Sequence, residues 1–332
     1  MAKPALVLAP GRLRSVAQAA QPRPAPARIR AILLGCGVVN GGLEGLVPEG
    51  IEIVGVLAQR ARPEGLYGAP VFTDADAAFA LAPDLVIEAL PGGSDAEALL
   101  ERAVEAGCHI VTANKDVAAR RPDFARRLAQ QGKVFACSAA VGGGAPVLET
   151  VERLTRSGAG LVRVRGVLNG TSNFVLDRLA RGEALADAVR AAQEAGFAEA
   201  DPSADLDGLD AANKLALIAR AAWGAELDPA EIEAQSISDL TASQIDAARA
   251  AGKVIRQVGV VSRGPAGVRA WVRLDVLAPA DPLARTRDEG NCVVILPERG
   301  AQVIVAGKGA GRGPTAASVA GDLKRLCERV NP

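Results

Sequence analysis

The chain has 332 residues, 49% hydrophobic and only 3% aromatic, with 38 basic and 38 acidic residues and zero formal net charge. That length suits two domains with cores built from Ala, Val and Leu. The zero net charge argues against a general nucleic-acid binder, and no apolar run reaches the roughly 18 residues that a membrane span needs.

Five scattered cysteines without C-x-x-C spacing point to reduced thiols in the cytoplasm. A single histidine, His109, excludes a two-histidine metal site within one chain; at the start of an apolar strand it reads as structural. Residues 1–27 carry Pro4, Pro10, Pro22, Pro24 and Pro26 beside Arg12, Arg14 and Arg23, and no acid precedes Glu44. This reads as a flexible tail rather than a targeting peptide, because the prolines oppose an amphipathic helix.

Order is expected from Ile29. Strands are predicted over Ile29–Leu34, Glu52–Leu57, Leu85–Leu90, His109–Ala113 and Val134–Ser138, with helices over Ser94–Ala106 and Pro122–Gln131. Apolar strands alternating with helices predict a parallel sheet covered on both faces. After Val141 the pattern changes. Gly142-Gly143-Gly144 breaks the chain, and Pro146 can open a helix to Arg156. Val162–Leu168 alternates like a half-exposed strand. Helices are predicted at 172–181, 184–195, 210–223 and 228–234. Strands over Val268–Leu277, Cys292–Leu296 and Gln302–Val305 and a helix over Thr315–Arg329 complete the chain. The fold class is α/β: a Rossmann-like parallel-sheet nucleotide-binding domain plus an α+β domain with a mainly antiparallel sheet.

The first strand leads straight into Gly35-Cys36-Gly37-Val38-Val39-Asn40-Gly41-Gly42. Two glycines permit a tight turn and close approach of a pyrophosphate to backbone N–H groups, and a helix is expected to follow. Asn40 stands where the third glycine of G-x-G-x-x-G is expected. Gly35, Gly37, Val38 and Val39 are the candidate cofactor contacts. After the second strand, an NAD site places an acid on the ribose 2′-hydroxyl. Here the chain reads Gln59-Arg60-Ala61-Arg62, without an acid. Arg60 and Arg62 suit a 2′-phosphate, favouring NADP(H) with NAD(H) still usable; solvated loop arginines are the plainer reading. Gly92-Gly93 borders the cofactor or forms an ordinary turn.

The most informative stretch is 196–214, where Glu199, Asp201, Asp205, Asp207 and Asp210 precede Lys214. Asp210 and Lys214 lie four apart and share one helix face. A lysine among carboxylates serves as an acid–base group; an exposed Asp–Lys helix pair is the alternative.

Several segments together resemble homoserine dehydrogenase: Thr112-Ala113-Asn114-Lys115, Val141-Gly142-Gly143-Gly144-Ala145-Pro146, Gly166-Val167-Leu168-Asn169-Gly170-Thr171-Ser172-Asn173-Phe174, the stretch 196–214, and Gly307-Lys308-Gly309-Ala310-Gly311 with Pro314-Thr315-Ala316. The resemblance implies reversible oxidation of L-homoserine to L-aspartate 4-semialdehyde with NAD(P)(H), in the aspartate-derived pathway to threonine, methionine and isoleucine. It implies Lys115, Lys214 and Asp210 at the reacting centre, with Glu199, Asp205, Gly170 and Thr171 as substrate contacts. Thr112, Asn114, Gly307, Gly309 and Ala310 are implied cofactor contacts. It also implies a monovalent cation at the backbone of Val141 and Gly143, but the family's glutamate is Ser138 here, a poorer ligand. The expected organisation is a nucleotide-binding domain at 28–141, a substrate and dimerisation domain at 142–304, and a segment at 305–332 returning to the first domain. A homodimer is expected, with no nucleic-acid or membrane partner and no appended ligand-sensing domain. Two other readings keep the fold: a dehydrogenase of another amino or hydroxy acid, and a catalytically idle NADP-binding sensor.

Overall fold

A computed structural model describes residues 28–309 and 311–330. Its first sheet contains β1 (Ile29–Leu34), β2 (Ile51–Leu57), β3 (Val71–Phe72), β4 (Leu85–Glu88), β5 (His109–Thr112) and β6 (Phe135–Ala136). All pairings are parallel, in the order β3-β2-β1-β4-β5-β6. The apolar runs are buried on both faces, as a parallel sheet requires. Ile32 and Leu34 pack beneath Leu100, Val104, Phe124 and Leu128 of the helices Ser94–Glu105 and Pro122–Gln130.

The opposite face departs from the expected pattern. No helix follows the glycine-rich turn; Asn40–Gly42 forms a single 3-10 turn, and Leu43–Val47 is turns. The face that such a helix would cover is instead covered by the last helix, Arg312–Val330. Its Ala316, Val319, Leu323 and Leu326 pack on Ala31, Leu33, Val56 and Ile87. Burying Val319, Leu323 and Leu326 contributes roughly 1.5–3 kcal/mol each. The start of this helix touches the turn directly, since Arg312 Nη2 donates to the Gly41 carbonyl at 2.9 Å.

The second sheet contains β7 (Leu161–Val167), β8 (Glu233–Ala234), β9 (Val254–Gly264), β10 (Gly267–Leu277), β11 (Gly290–Pro297) and β12 (Val303–Lys308). It runs in the order β12-β11-β7-β9-β10-β8, antiparallel except for β10–β8. The helix predicted at 228–234 is a 3-10 turn, Pro229–Glu231, followed by β8. Pro229 starts the turn, and Asp228 caps it by accepting from the Ala230 N–H at 2.9 Å. Strand β9 has no counterpart among the predicted elements. It conceals itself by carrying Arg256 and Gln257, both buried. Arg256 Nη2 donates to Asp177 at 2.8 Å and to the Thr286 carbonyl at 2.9 Å. Gln257 Nε2 donates to the carbonyls of Leu206 and Gln235.

One face of this sheet packs on the helices Val147–Arg156 and Leu209–Trp223. The second of these is buried nearly all round and carries Asp210 and Lys214 inward. It begins after Gly208, whose φ of 79° is the left-handed conformation that glycine adopts without strain.

Candidate active site

Three chain segments meet at Asp210. The helix Leu209–Trp223 places Asp210 in its first turn, where a negative charge complements the helix dipole, and Lys214 one turn later. Lys214 Nζ donates to Asp210 Oδ2 at 2.7 Å and to the Leu168 carbonyl, just beyond β7, at 2.5 Å. Lys115 arrives from the side of the first sheet. Thr112 ends β5, Asn114 caps the next helix by accepting from the Val117 N–H at 3.3 Å, and Lys115 opens it. Its Nζ lies 3.1 Å from Asp210 Oδ1. The carboxyl end of a parallel strand is where α/β folds place ligands.

The side chains of Asp210 and Lys214 are 6% and 10% exposed, and that of Lys115 is 40% exposed, so only Lys115 reaches solvent freely. Burial alone would raise the Asp210 carboxyl. The ammonium groups of Lys214 and Lys115, with hydrogen bonds from Lys214 and Asn169, pull it below the ordinary carboxylate range. The Asp210 charge in turn raises Lys115 above the usual lysine value, against the opposing effect of burial. Asp205 joins through Asn169, whose Nδ2 donates to Asp205 Oδ1 at 2.6 Å and to Asp210 Oδ2 at 2.8 Å. Burial, then the Asp210 charge, raises the Asp205 carboxyl against hydrogen bonds that lower it.

Gly170 and Thr171 begin the helix that Asn169 caps. Thr171 Oγ1 donates to the Phe197 carbonyl at 2.5 Å, tying this turn to the acidic stretch. Glu199 stands apart: it is exposed, and its backbone carbonyl accepts from Gln193 Nε2 at 3.2 Å.

At the nucleotide end, Gly35 has φ 90°, and a Cβ there would meet Leu90 Cδ2 at 3.0 Å and the Ala89 carbonyl oxygen at 3.2 Å. A Cβ on Gly37 would meet only open space. The first glycine therefore makes the turn, and the second leaves its backbone approachable. Asn40 is buried and fastens the turn, its Nδ2 donating to the carbonyls of Leu34 at 3.0 Å and Gly35 at 2.8 Å. The Tyr67 hydroxyl donates to the Asn40 carbonyl. Val38 is exposed and Val39 partly buried. A cleft of about 640 Å³ opens alongside, lined by Ala58, Gln59, Thr73, Leu90, Gly92 and Asp95 among others. Arg60 and Arg62 are exposed just beyond Gln59. This cradle fits a dinucleotide.

Ser138 is buried and already hydrogen-bonded. Its N–H and Oγ donate to Asp322 at 2.9 and 2.8 Å, and Arg325 Nη2 donates to the same Oγ at 2.9 Å. One of the two Ser138 hydroxyl lone pairs is thus taken by the Arg325 guanidinium, whose positive charge disfavours a cation at this oxygen. No cluster of His, Cys, Asp and Glu with metal-site geometry occurs among the described residues. Gly307 and Gly309 lie at the end of β12 and just beyond it. Ala310 lies outside the described residues, as does the tail 1–27.

Two family models match the chain. One described as "Homoserine dehydrogenase" matches residues 146–323, and one described as "Homoserine dehydrogenase, NAD binding domain" matches residues 35–138. The chain belongs to the homoserine dehydrogenase family. Homoserine dehydrogenases of Pseudomonas aeruginosa and Synechocystis sp. are each 34% identical to it, over 89% and 88% of this chain and 71% of each relative. The crystal structure of a homoserine dehydrogenase from Thiobacillus denitrificans matches with a TM-score of 0.84 at 28% identity, over 92% of this chain and 75% of that one. One from Thermoplasma acidophilum matches with a TM-score of 0.75 at 25% identity, over 91% of this chain and 99% of that one. This homoserine dehydrogenase family member is therefore an oxidoreductase with a nicotinamide-binding domain.

Two residues of this site escaped the reading of the sequence. Glu88 ends β4 fully buried. It accepts from the Thr112 hydroxyl and from the Leu90 N–H, the latter at 2.6 Å. Burial raises its carboxyl, and these hydrogen bonds oppose the rise. The Thr112 oxygen accepts from the Asn114 N–H at 2.9 Å, so Glu88 sets the turn that presents Lys115. Asn169 is the other, bridging both carboxylates. A lone acid in an apolar strand and an asparagine at a helix start were the available signals.

Proposed function

We propose that this chain interconverts L-homoserine and L-aspartate 4-semialdehyde, preferring NADP(H) and accepting NAD(H). The observation that carries the reading is one buried carboxylate, Asp210, holding two ammonium groups, one of them from the side of the first sheet. When bound, the nicotinamide cofactor accepts the hydride from the substrate's terminal carbon or returns it. The chain's own task is the proton on the substrate oxygen. During semialdehyde reduction the oxygen gains a proton as its carbon gains hydride. Lys115, kept protonated by Asp210 and open to solvent, gives that proton and is reprotonated from water. Lys214, held by Asp210 and Leu168, turns its remaining N–H toward the same oxygen and polarises it. Homoserine oxidation runs these steps backwards and requires Lys115 to accept a proton. Asp205 and Glu199 are assigned to the substrate ammonium, and Gly170 and Thr171 to the contact between substrate and nicotinamide.

Thr112, Asn114, Gly307, Gly309 and Ala310 are assigned to the cofactor with Gly35, Gly37, Val38 and Val39. Arg60 and Arg62 favour the 2′-phosphate, since the stretch Gln59–Arg62 offers no acid to a ribose hydroxyl. The chain is assigned to the cytoplasm, supported by five free cysteines and by the absence, among the described residues, of a helix long and apolar enough to cross a membrane. A homodimer through the second sheet is supported by Leu296 and Ile304, 41% and 48% exposed on neighbouring strands.

The test is NADP(H)-linked turnover with homoserine and with aspartate semialdehyde. Turnover with both supports the reading. Cofactor binding without turnover of either would overturn it in favour of a sensor or of another substrate.

A further inference from the structure

Asn291 is 2% exposed, and neither its Oδ1 nor its Nδ2 meets a hydrogen-bond partner among the described residues. It sits on β11 opposite Gly307, where β12 passes into the glycine-rich loop. A Cβ built on Gly309 would overlap the Oδ1, Cγ and Nδ2 of Asn291 at near-equal distances. The plane of the carboxamide therefore lies against the Gly309 backbone, and a Cβ at this position would have to displace it. The loop is tied on both sides: the Gly309 N–H donates to the Glu289 carbonyl at 2.8 Å, and the Gly144 N–H to the Lys308 carbonyl at 3.0 Å.

The same strand end reaches the reacting centre. A Cβ on Gly170 would stand 2.9 Å from Glu289 Cα, and Gly170 follows Asn169, which bonds Asp210. Asn173 Nδ2 donates to the Gly290 carbonyl at 2.9 Å, and its own Oδ1 is also unpartnered. Buried donors and acceptors without partners weaken a fold, and an apolar side chain of the same shape would remove the penalty. A carboxamide offers both a donor nitrogen and an acceptor oxygen, and a peptide unit presents an acceptor and a donor in return.

We propose that Asn291 is a positioning residue for the nicotinamide cofactor. It takes the backbone at Lys308 and Gly309 as its hydrogen-bond partner in the cofactor-bound state and fixes that turn against the cofactor. The proposal rests on the nicotinamide-binding reading above, and it assigns Asn291 no part in proton or hydride transfer.

The test measures NADPH and NADH dissociation constants by fluorescence and melting temperatures with and without cofactor, on the full chain. Asn291→Leu is expected to melt no lower than wild type when free, yet to bind cofactor about tenfold more weakly. A loss under threefold would overturn the proposal. Gly309→Ala is expected to weaken binding similarly, because its methyl group displaces the carboxamide. The double variant Asn291→Ala with Gly309→Ala makes room for that methyl group. Persistent weak binding supports the proposal, and restored wild-type binding shows that Asn291 acts only by shape and refutes it. Should Asn291→Leu fail to fold, the Gly309→Ala pair decides alone. A wild type that binds neither cofactor overturns the nicotinamide reading and this proposal with it. A wild type that binds, beside an unaffected Asn291→Leu, overturns this proposal alone.

Discussion

Replacing Asp210 by Asn keeps the shape at the centre of the site and removes its charge. Three donors converge on that carboxylate: Lys214 Nζ at 2.7 Å, Asn169 Nδ2 at 2.8 Å and Lys115 Nζ at 3.1 Å. An amide offers one acceptor oxygen and adds two donors, so at least one existing partner is stranded. The Lys214 pair is the buried one, and removing one partner of a buried pair costs about 3–5 kcal/mol. The Lys115 pair is 40% exposed on the lysine side, and solvent screening leaves it about 1 kcal/mol or less. At roughly 2–4 °C per kcal/mol, the variant should melt about 6–20 °C lower with an unchanged circular dichroism spectrum. Semialdehyde reduction at neutral pH should fall about 10²-fold or more.

The pH profile separates chemistry from mere destabilisation. The Asp210 charge raises Lys115, so its protonated form persists above the ordinary lysine value and is lost as pH rises through the raised value. In Asp210→Asn the alkaline fall of reduction should therefore begin at lower pH. On the acid side, Asp210 is depressed, so its stabilising contribution is full above the usual carboxylate value of about 3.9 and is lost only as pH falls through the lowered one. A variant within threefold of wild-type turnover, with the same alkaline limb, would show that Asp210 is only a structural ion-pair partner.

Lys214→Ala and Lys115→Ala should each cut kcat by about 10²-fold or more in steady-state assays; near-normal turnover of Lys214→Ala would remove the Asp210–Lys214 face from the chemistry. Glu199→Gln should raise KM for homoserine with little change in kcat, and an unchanged KM would leave Glu199 as the exposed, unassembled acid that the structure shows. Arg60→Ala should weaken NADPH binding more than NADH binding in parallel titrations; equal effects, or tighter NADH binding by the wild type, would sink the 2′-phosphate assignment. Leu296→Glu combined with Ile304→Glu should yield monomers in sedimentation at micromolar concentration, whereas a wild type already monomeric there would refute the dimer.

Local pattern alone established much of this protein. The run Ile29–Leu34 reads as a buried parallel strand because every side chain but Arg30 is apolar, and the structure buries those five. Asp210 and Lys214 share a helix face because four residues make about one turn. Such features depend on neighbours in the chain and are visible in its order. What joins distant segments was not visible. Lys115 meets Asp210 only because the end of β5 and the start of the helix Leu209–Trp223 are packed together. Strand β9 went unseen because Arg256 and Gln257 look solvent-facing until Asp177, Leu206 and Gln235 are folded against them. The glycine-rich turn promised a helix of its own, yet the sheet face beside it is covered by Arg312–Val330, from the other end of the chain. A sheet face requires apolar cover but not cover from any particular segment, so the choice among segments is made by tertiary packing rather than by local sequence.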